Sequence, residues 1–230
     1  MKSLGHSRQR GLSLVELMVG IAVGLFIVAA STMLVSTQLA ENRRLLVETQ
    51  IQQDLRATVD IITRELRRAG SWGNAVDSRN GIWSESTSSP TANVNLGLTI
   101  VAGSNAQVTF KSSRTNNAAR GFQLMNGAIE SRLDGAAETW QKLTDDMTLT
   151  VLSFDVAEQD ETVLQLPCPK MCPGVPETTD CWPTVKLRTL VITLTGQAKN
   201  DPSVVRTASS AVRLRSDDVV FNNGAQACPA

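Results

Sequence analysis

The chain has 230 residues, with 22 Lys and Arg balanced by 22 Asp and Glu, one His, four Cys and no Tyr. A hydrophobic share of 42% excludes collagen-like, wholly disordered and multispanning membrane chains, and the balanced charge argues against a protein built mainly to grip nucleic acid. The one histidine, His6, lies in a short basic N-terminal stretch; if that stretch is removed, no imidazole remains for a catalytic triad, a proton shuttle or a metal site.

Charge is spread unevenly along the chain. Residues 1–11 carry Lys2, Arg8 and Arg10 and no acid, whereas the 24 residues from Leu17 to Ala40 carry no charge at all. A membrane-spanning helix needs about 20 mostly apolar residues, and Leu17–Val35 supplies 19 before Ser36, Thr37 and Gln38. The basic residues ahead of this run should hold the N-terminus in the cytoplasm and send the C-terminal bulk across. Three readings compete: a secretory signal cut near Val28-Ala29-Ala30, a plain anchor, and a prepilin-type leader. Glu16 separates them. A carboxylate within the apolar run only weakens a secretory signal, and in a plain anchor it costs roughly 2.5–3.5 kcal/mol at mid-membrane. A lipoprotein signal is excluded because the first cysteine is Cys168.

The third reading accounts for the charge. Arg10-Gly11-Leu12-Ser13-Leu14-Val15-Glu16-Leu17 resembles the type III signal of type IV pilins and type II secretion pseudopilins. The resemblance implies cleavage by prepilin peptidase between Gly11 and Leu12, N-methylation of Leu12, and a subunit-assembly role for Glu16 as the fifth mature residue. Leu12 stands where the family usually has Phe. An unpaired amine and an unpaired carboxylate are each costly in lipid, and they can neutralise one another across neighbouring subunits. Gly20 and Gly24 form a GxxxG that is either a packing face for another helix or the ordinary abundance of glycine in membrane helices.

Beyond the apolar run, Glu41 to Ala69 contains no Gly or Pro, and Ile51, Leu55, Val59, Ile62 and Leu66 recur at helical spacing. The helix is expected to continue through Ala69 and to stop at Gly70, after basic residues suited to the negative end of its dipole. A coiled-coil dimer would need a longer and more regular stripe. Ser71–Asn95 reads as a connecting loop, with Trp72 and Trp83 as anchors onto the core. Strand periodicity follows at Leu96–Val101, Gln107–Lys111, Phe122–Met125, Ala128–Leu133, Thr148–Val156, Val185–Thr195 and Val204–Leu214. Around the fifth run, Met147, Leu149 and Val151 give way to Leu152, Phe154 and Val156, which predicts a bulge or bend. A long helix followed by antiparallel strands makes the fold α+β. The expected division is 1–11 leader, 12–40 transmembrane half of the helix, 41–70 its amphipathic half, and 71–230 a β-rich periplasmic domain.

This order of elements is similar to that of the PilW-type minor pilins of type IV pili, relatives of the J-type minor pseudopilins of type II secretion. Besides the leader, the resemblance is carried by Glu41-Asn42-Arg43-Arg44, Gln52-Gln53-Asp54-Leu55-Arg56, Ile61 to Gly70, and Ala211-Val212-Arg213-Leu214-Arg215. It implies a pilin-like fold and a structural subunit, not an enzyme, that co-assembles with other minor pilins and the major pilin to prime pilus assembly, serving twitching motility and adhesion. Its other partners would be prepilin peptidase and inner-membrane lipid, with the N-terminus cytoplasmic, the C-terminal domain periplasmic, and a final place at the tip or base of the pilus. Alternatives are a J-type pseudopilin and a pilus-tip adhesin or DNA-binding module.

Cys168, Cys172, Cys181 and Cys228 all fall in the C-terminal third. An even number on the oxidising side of the membrane argues for two disulfides, with three pairings possible; a four-thiolate zinc site is the rival, but Cys168 and Cys172 lack a matching second pair. Pro167, Pro169, Pro173, Pro176 and Pro183 exclude regular structure between them, leaving a stapled loop that is either a partner surface or only a staple. Asp145-Asp146, Asp160-Glu161 and Asp217-Asp218 read as solvated acid pairs, without the alternating ligands of a calcium loop. No cofactor motif is present. Lys111, Arg114 and Arg120 near Phe110 and Phe122 read as a solvated strand edge, so a nucleic-acid partner is not expected.

Overall fold

The computed structural model describes residues 11, 13–73, 75, 83–84, 89–91, 93–112, 119–133, 139–159, 162–174 and 176–221. The chain forms two compact units, Met1–Leu46 and Val47–Ala230. One continuous helix, α1 (Leu14–Leu66, 53 residues), contributes to both. In the first unit its apolar side chains are exposed on every side, Phe26 for example at 77%. In the second unit Ile51, Leu55, Val59, Ile62 and Leu66 are each no more than 2% exposed, because spacings of three and four residues place them on one face.

The helix ends four residues before the expected stop at Gly70. After Leu66 the chain tightens: Arg68 N–H donates to Glu65 O at 3.0 Å and Ala69 N–H to Leu66 O at 2.9 Å, the three-residue spacing of a closing turn. Neighbouring segments then take over the backbone groups. Gly70 N–H donates to Lys111 O at 2.9 Å, Arg215 N–H to Arg67 O at 3.2 Å, and Asn93 Nδ2 to Gly70 O at 2.8 Å.

The strands, in chain order, are β1 (Trp83–Ser84), β2 (Ser89–Pro90), β3 (Leu98–Val101), β4 (Gln107–Phe110), β5 (Arg120–Met125), β6 (Ala128–Arg132), β7 (Gln141–Lys142), β8 (Leu149–Glu158), β9 (Thr162–Gln165), β10 (Thr184–Leu187), β11 (Thr189–Ala198), β12 (Val205–Arg213) and β13 (Asp218–Val220). Among the described residues they form four antiparallel sheets, ordered β1-β2, β3-β4-β5-β6-β7, β12-β11-β8 and β13-β10-β9. The α+β expectation therefore stands. The strand expected over Val185–Thr195 is two strands in different sheets, broken at Arg188, whose Nε donates to Glu158 Oε1 at 2.8 Å and whose Nη1 donates to Leu96 O at 3.2 Å. A charged side chain held this way cannot continue an apolar run through one sheet. The segment expected as a plain loop holds the short β1-β2 ladder, and β7, β9 and β13 are strands that periodicity did not single out.

The core lies between the α1 stripe and the inner faces of the larger sheets. Along β11, Leu190, Ile192, Leu194, Gly196 and Ala198 are buried while the residues between them are only partly so, the two-residue alternation of a strand with one face in the core. In β8 the alternation shifts as expected. Thr195 pairs with Ser153 but Gly196 pairs with Val151, leaving Leu152 unmatched; Leu149, Val151, Phe154 and Val156 are buried whereas Leu152 is 49% exposed. This is a β-bulge, and Met147, grouped with these residues by its spacing, is exposed.

Two glycines are dictated by this packing. At Gly196 a Cβ would lie 2.6 Å from Leu149 Cδ1 and 3.0 Å from Leu55 Cδ2, so α1 approaches β11 through the space where a side chain is missing. At the β5–β6 hairpin, Asn126 (φ 51°) and Gly127 (φ 74°) are both left-handed, as the two-residue turn between twisted strands requires. Gly127 O then accepts from Val151 N–H at 2.7 Å, tying that hairpin to β8.

Arg120 is not part of a solvated edge. It begins a central strand, is 7% exposed, and sets its Nη2 3.0 Å from Glu65 Oε2 of α1. Its Nε donates to Leu133 O at 2.7 Å, and its guanidinium lies over the Phe110 ring, 5.9 Å from the centroid. Phe110 and Phe122 are core residues. Glu65 Oε1 also receives Arg68 Nη1 at 3.1 Å, while Arg120 Nη1 has no hydrogen bond among the described residues.

Two expectations follow. Arg120→Met, which leaves the mostly buried Glu65 carboxylate with Arg68 as its remaining partner, should lower unfolding free energy by about 1–3 kcal/mol, and adding Glu65→Leu should recover part of that loss; denaturant titration of the four members of the cycle measures both. Gly196→Val should cost about 1–3 kcal/mol by overpacking, read as a lower melting temperature, and a companion Leu55→Ala should soften the effect.

Candidate functional sites at the start of the helix and in the stapled loop

Gly11 and Ser13 are described and exposed, whereas Leu12 lies outside the described residues. Ser13 precedes the first helical residue, and its carbonyl accepts from Leu17 N–H at 3.1 Å, placing it at the N-cap. Glu16 then falls in the first turn, three residues after the serine. That is the spacing of a capping box, and a carboxylate in the first turn also faces the positive end of the helix dipole. The pattern Ser13-x-x-Glu16 is legible in the sequence and adds a local reason for an acid at this position. From Leu17 to Ala40 the helix carries no further charge, and it is the helix long and apolar enough to cross a membrane among the described residues. Among the described residues, and leaving aside the helix's own backbone, nothing comes within 4 Å of a Cβ placed on Gly20 or Gly24, so their face is open.

At the other end, Cys172 and Cys181 are disulfide-bonded across a separation of 9 residues. Cys168 is disulfide-bonded as well, and Cys228 lies outside the described residues. Three of the four candidate thiolates are thus not available to zinc. The prolines keep the loop irregular, and side chains fix its shape. Cys172 N–H donates to Thr178 O at 2.9 Å and Trp182 Nε1 to Lys170 O at 2.9 Å. Gln165 docks the loop on β9: its Nε2 donates to Thr179 O at 3.2 Å, and its Oε1 accepts from Thr179 Oγ1 at 3.1 Å. Beside this staple Leu166 and Met171 are 40% and 43% exposed.

A cleft of about 630 Å³ is lined by Trp72, Asn93, Leu96, Val185, Arg215 and Phe221, among others. Its walls come from segments far apart in sequence, and no local pattern announces it. Trp72 borders this cleft and is partly buried, while Trp83's side chain falls outside the described residues. The acid pairs do separate work. Asp145 Oδ1 accepts from Met147 N–H at 2.9 Å, Asp146 pairs with Lys142, and Asp217 pairs with Arg213 at 3.0 Å. Asp160-Glu161 and Arg114 lie outside the described residues. Among the described residues no group of three or more His, Cys, Asp or Glu is placed to hold a metal.

A long apolar helix with an acid in its first turn, packed further on against antiparallel sheets and followed by a disulfide-stapled region, defines a type IV pilin-like structural protein. The chain matches the family model of Prepilin peptidase-dependent protein B over residues 44–214 and that of the prokaryotic N-terminal methylation motif over residues 6–32. The first match spans well over half of the chain, which belongs to the Prepilin peptidase-dependent protein B family. Neither a curated protein nor a solved structure gives a significant match. The two models together mark a minor pilin-like protein with a prepilin-type signal.

The Cys172–Cys181 bridge should contribute about 2–3 kcal/mol by restricting the unfolded chain; Cys172→Ser with Cys181→Ser should lower stability by that amount with α1 and β11 intact by circular dichroism. The Lys142–Asp146 pair gives a pH expectation. A hydrogen bond from the Lys142 ammonium and its charge hold the Asp146 carboxyl below its ordinary value, and the same partner raises Lys142. The aspartate's share of stability is present above the ordinary carboxylate value and is lost as pH falls through the lowered one. The lysine's share is present below its ordinary value and is lost as pH rises through the raised one. Lys142→Met should move the Asp146 midpoint upward in a carboxyl NMR titration.

Proposed function

We propose that this chain is a PilW-type minor pilin. It is cut after Gly11, methylated on Leu12 and held in the inner membrane with its C-terminal domain in the periplasm. It then joins other minor pilins, and through them the major pilin, to prime assembly of a type IV pilus. The observation that carries this reading is the placement of Glu16, a lone carboxylate in the first turn of an apolar helix that no other charge accompanies before Glu41. In lipid such a charge is retained only where it is neutralised, and the methylated amine of a neighbouring subunit's first residue supplies the positive partner. The open face at Gly20 and Gly24 offers that neighbour a close approach. The capping-box spacing gives Glu16 a local role in starting the helix, so the test must separate assembly from helix formation.

Intact mass and N-terminal sequencing of protein from membranes and sheared filaments should find Leu12 as the first residue, carrying a methyl group. Glu16→Ala should be inserted and processed but recovered in sheared pili at levels reduced by roughly tenfold or more. Normal incorporation of that variant would remove the assembly role. If deletion of the chain abolished secretion of an enzyme and left pili normal, the pseudopilin reading would replace this one. A second reading, a tip module, draws on the apolar exposure of Leu166 and Met171 beside the staple. It requires that the purified protein bind a surface or DNA and that replacing residues 168–181 abolish binding.

A further inference from the structure

The cleft beside β13 follows the edge of a strand. Every residue from Arg215 to Phe221 lines it, Asp218 and Val220 as well as Val219, and Val185 of the neighbouring β10 does so too. Successive strand residues point to opposite faces, so a cleft touched by both sets wraps the outer edge of β13. Across from that edge stand Trp72, Ala75, Thr91, Asn93 and Leu96. We propose that this cleft is a slot for an extended segment of a partner protein, which adds to the free edge of β13 as an antiparallel strand. The guest carries apolar side chains at alternate positions and an acidic residue at its C-terminal end. The slot lies wholly in the second unit and does not depend on the membrane helix or on pilus assembly.

The register shows which backbone groups face the slot. Leu166 N–H donates to Pro183 O at 2.8 Å, toward the β9 side, and Leu214 N–H donates to Arg188 O at 3.0 Å from the other side. Along a strand the N–H and C=O of successive residues turn alternately to the two sides. Val185 and Leu187 therefore face β9, while Thr184 and Lys186 face β13. Their partners on β13 are Val220 and Asp218. Val219, between them, turns its N–H and C=O away from β10. Because β13 is an edge of its sheet, those two groups have no hydrogen-bond partner among the described residues. A donor and an acceptor on one residue are what a single residue of an added antiparallel strand pairs with.

The walls set the chemistry of the guest. Trp72 and Leu96 supply aromatic and aliphatic surface. Asn93 is already committed, its Nδ2 donating to Gly70 O at 2.8 Å and its Oδ1 accepting from Asn95 N–H at 2.9 Å. That wall therefore favours apolar side chains, which a strand delivers at every second position while the others stay in water. Charge fixes one end. Asp217 is paired with Arg213 at 3.0 Å, and Asp218 belongs to the face of Lys186, its partner in the register. The exposed Arg215 side chain has no ion pair among the described residues. Arg215 precedes β13, and an antiparallel guest ends on that side, so its terminal acid meets the guanidinium.

The probe is the peptide acetyl-Val-Thr-Val-Thr-Val-Asp-amide, titrated against the full chain in detergent, with the same sequence N-methylated throughout as a control that cannot join a ladder. Amide hydrogen exchange resolved to single residues reads the result. At saturating peptide the Val219 amide should exchange about tenfold more slowly or better, with β9 and β12 unchanged and no effect from the methylated control. Arg215→Gln should weaken binding by about two- to fivefold, the range of an exposed ion pair. No slowing at Val219 with millimolar peptide, equal slowing with the methylated control, or protection of β9 or β12 instead would overturn the slot. Slowing at Val219 with unchanged affinity in Arg215→Gln would overturn the acidic end of the guest.

Discussion

The apolar stripe from Ile51 to Leu66 has to be covered, and most of the second unit is arranged to cover it. Each fully buried Leu, Ile or Val contributes about 1.5–3 kcal/mol, so five of them rival the net stability of an ordinary domain. The demands of that stripe explain features that look incidental by themselves. Gly196 is small because Leu149 and Leu55 fill the space a side chain would need. The bulge at Leu152 lets β8 keep Leu149 and Val151 in the core on one side of it and Phe154 and Val156 on the other. The hairpin turn at Asn126-Gly127 is held against β8 by a backbone hydrogen bond, so two sheets close over one helix.

The first half of the same helix obeys the opposite rule. From Leu14 to Leu46 its apolar side chains find no cover within the chain, and hydrocarbon is the medium in which that costs nothing. The one charge ahead of Glu41 in that helix, Glu16, sits where a helix best tolerates an acid. Membership in a family dependent on prepilin peptidase, together with an N-terminal methylation motif, gives this division a use: the apolar half is the part that enters a membrane and a filament, and the sheet-covered half is what that helix carries. Families of this kind are structural rather than enzymatic.

How much of this was written in the sequence depends on how local the cause is. The stripe, the apolar run and the Glu16 leader are patterns within one helix, and periodicity reveals them. The shift in β8 was legible for the same reason, since burial has to follow the alternation of the strand itself. Arg188, by contrast, interrupts an otherwise continuous run, and the break was missed because its acceptors, Glu158 and Leu96, come from distant segments. Arg120 looked like a surface residue because nothing nearby announces Glu65 as its partner. The early end of α1 has the same origin: the groups that capture its last turn belong to Lys111, Asn93 and Arg215. β9 is short and exposed throughout and β13 is short and only partly buried, leaving little periodicity to detect, and the cleft is assembled from parts that share no motif.

The buried Glu65–Arg120 pair has a mechanical consequence. The stripe on α1 nearly repeats under a shift of one turn, about 5.4 Å: Ile51 would replace Leu55, Leu55 would replace Val59, and Ile62 would replace Leu66. Hydrophobic contact alone would therefore let the helix creep along the sheets like a ratchet with shallow teeth. The ion pair removes that freedom, because a one-turn slip would part the two charges and leave the mostly buried Arg120 guanidinium without its carboxylate. Tension along α1 is thereby handed to β5 through this pair and to β12 through the Arg206–Glu48 pair, and the fold resists being drawn off its own helix.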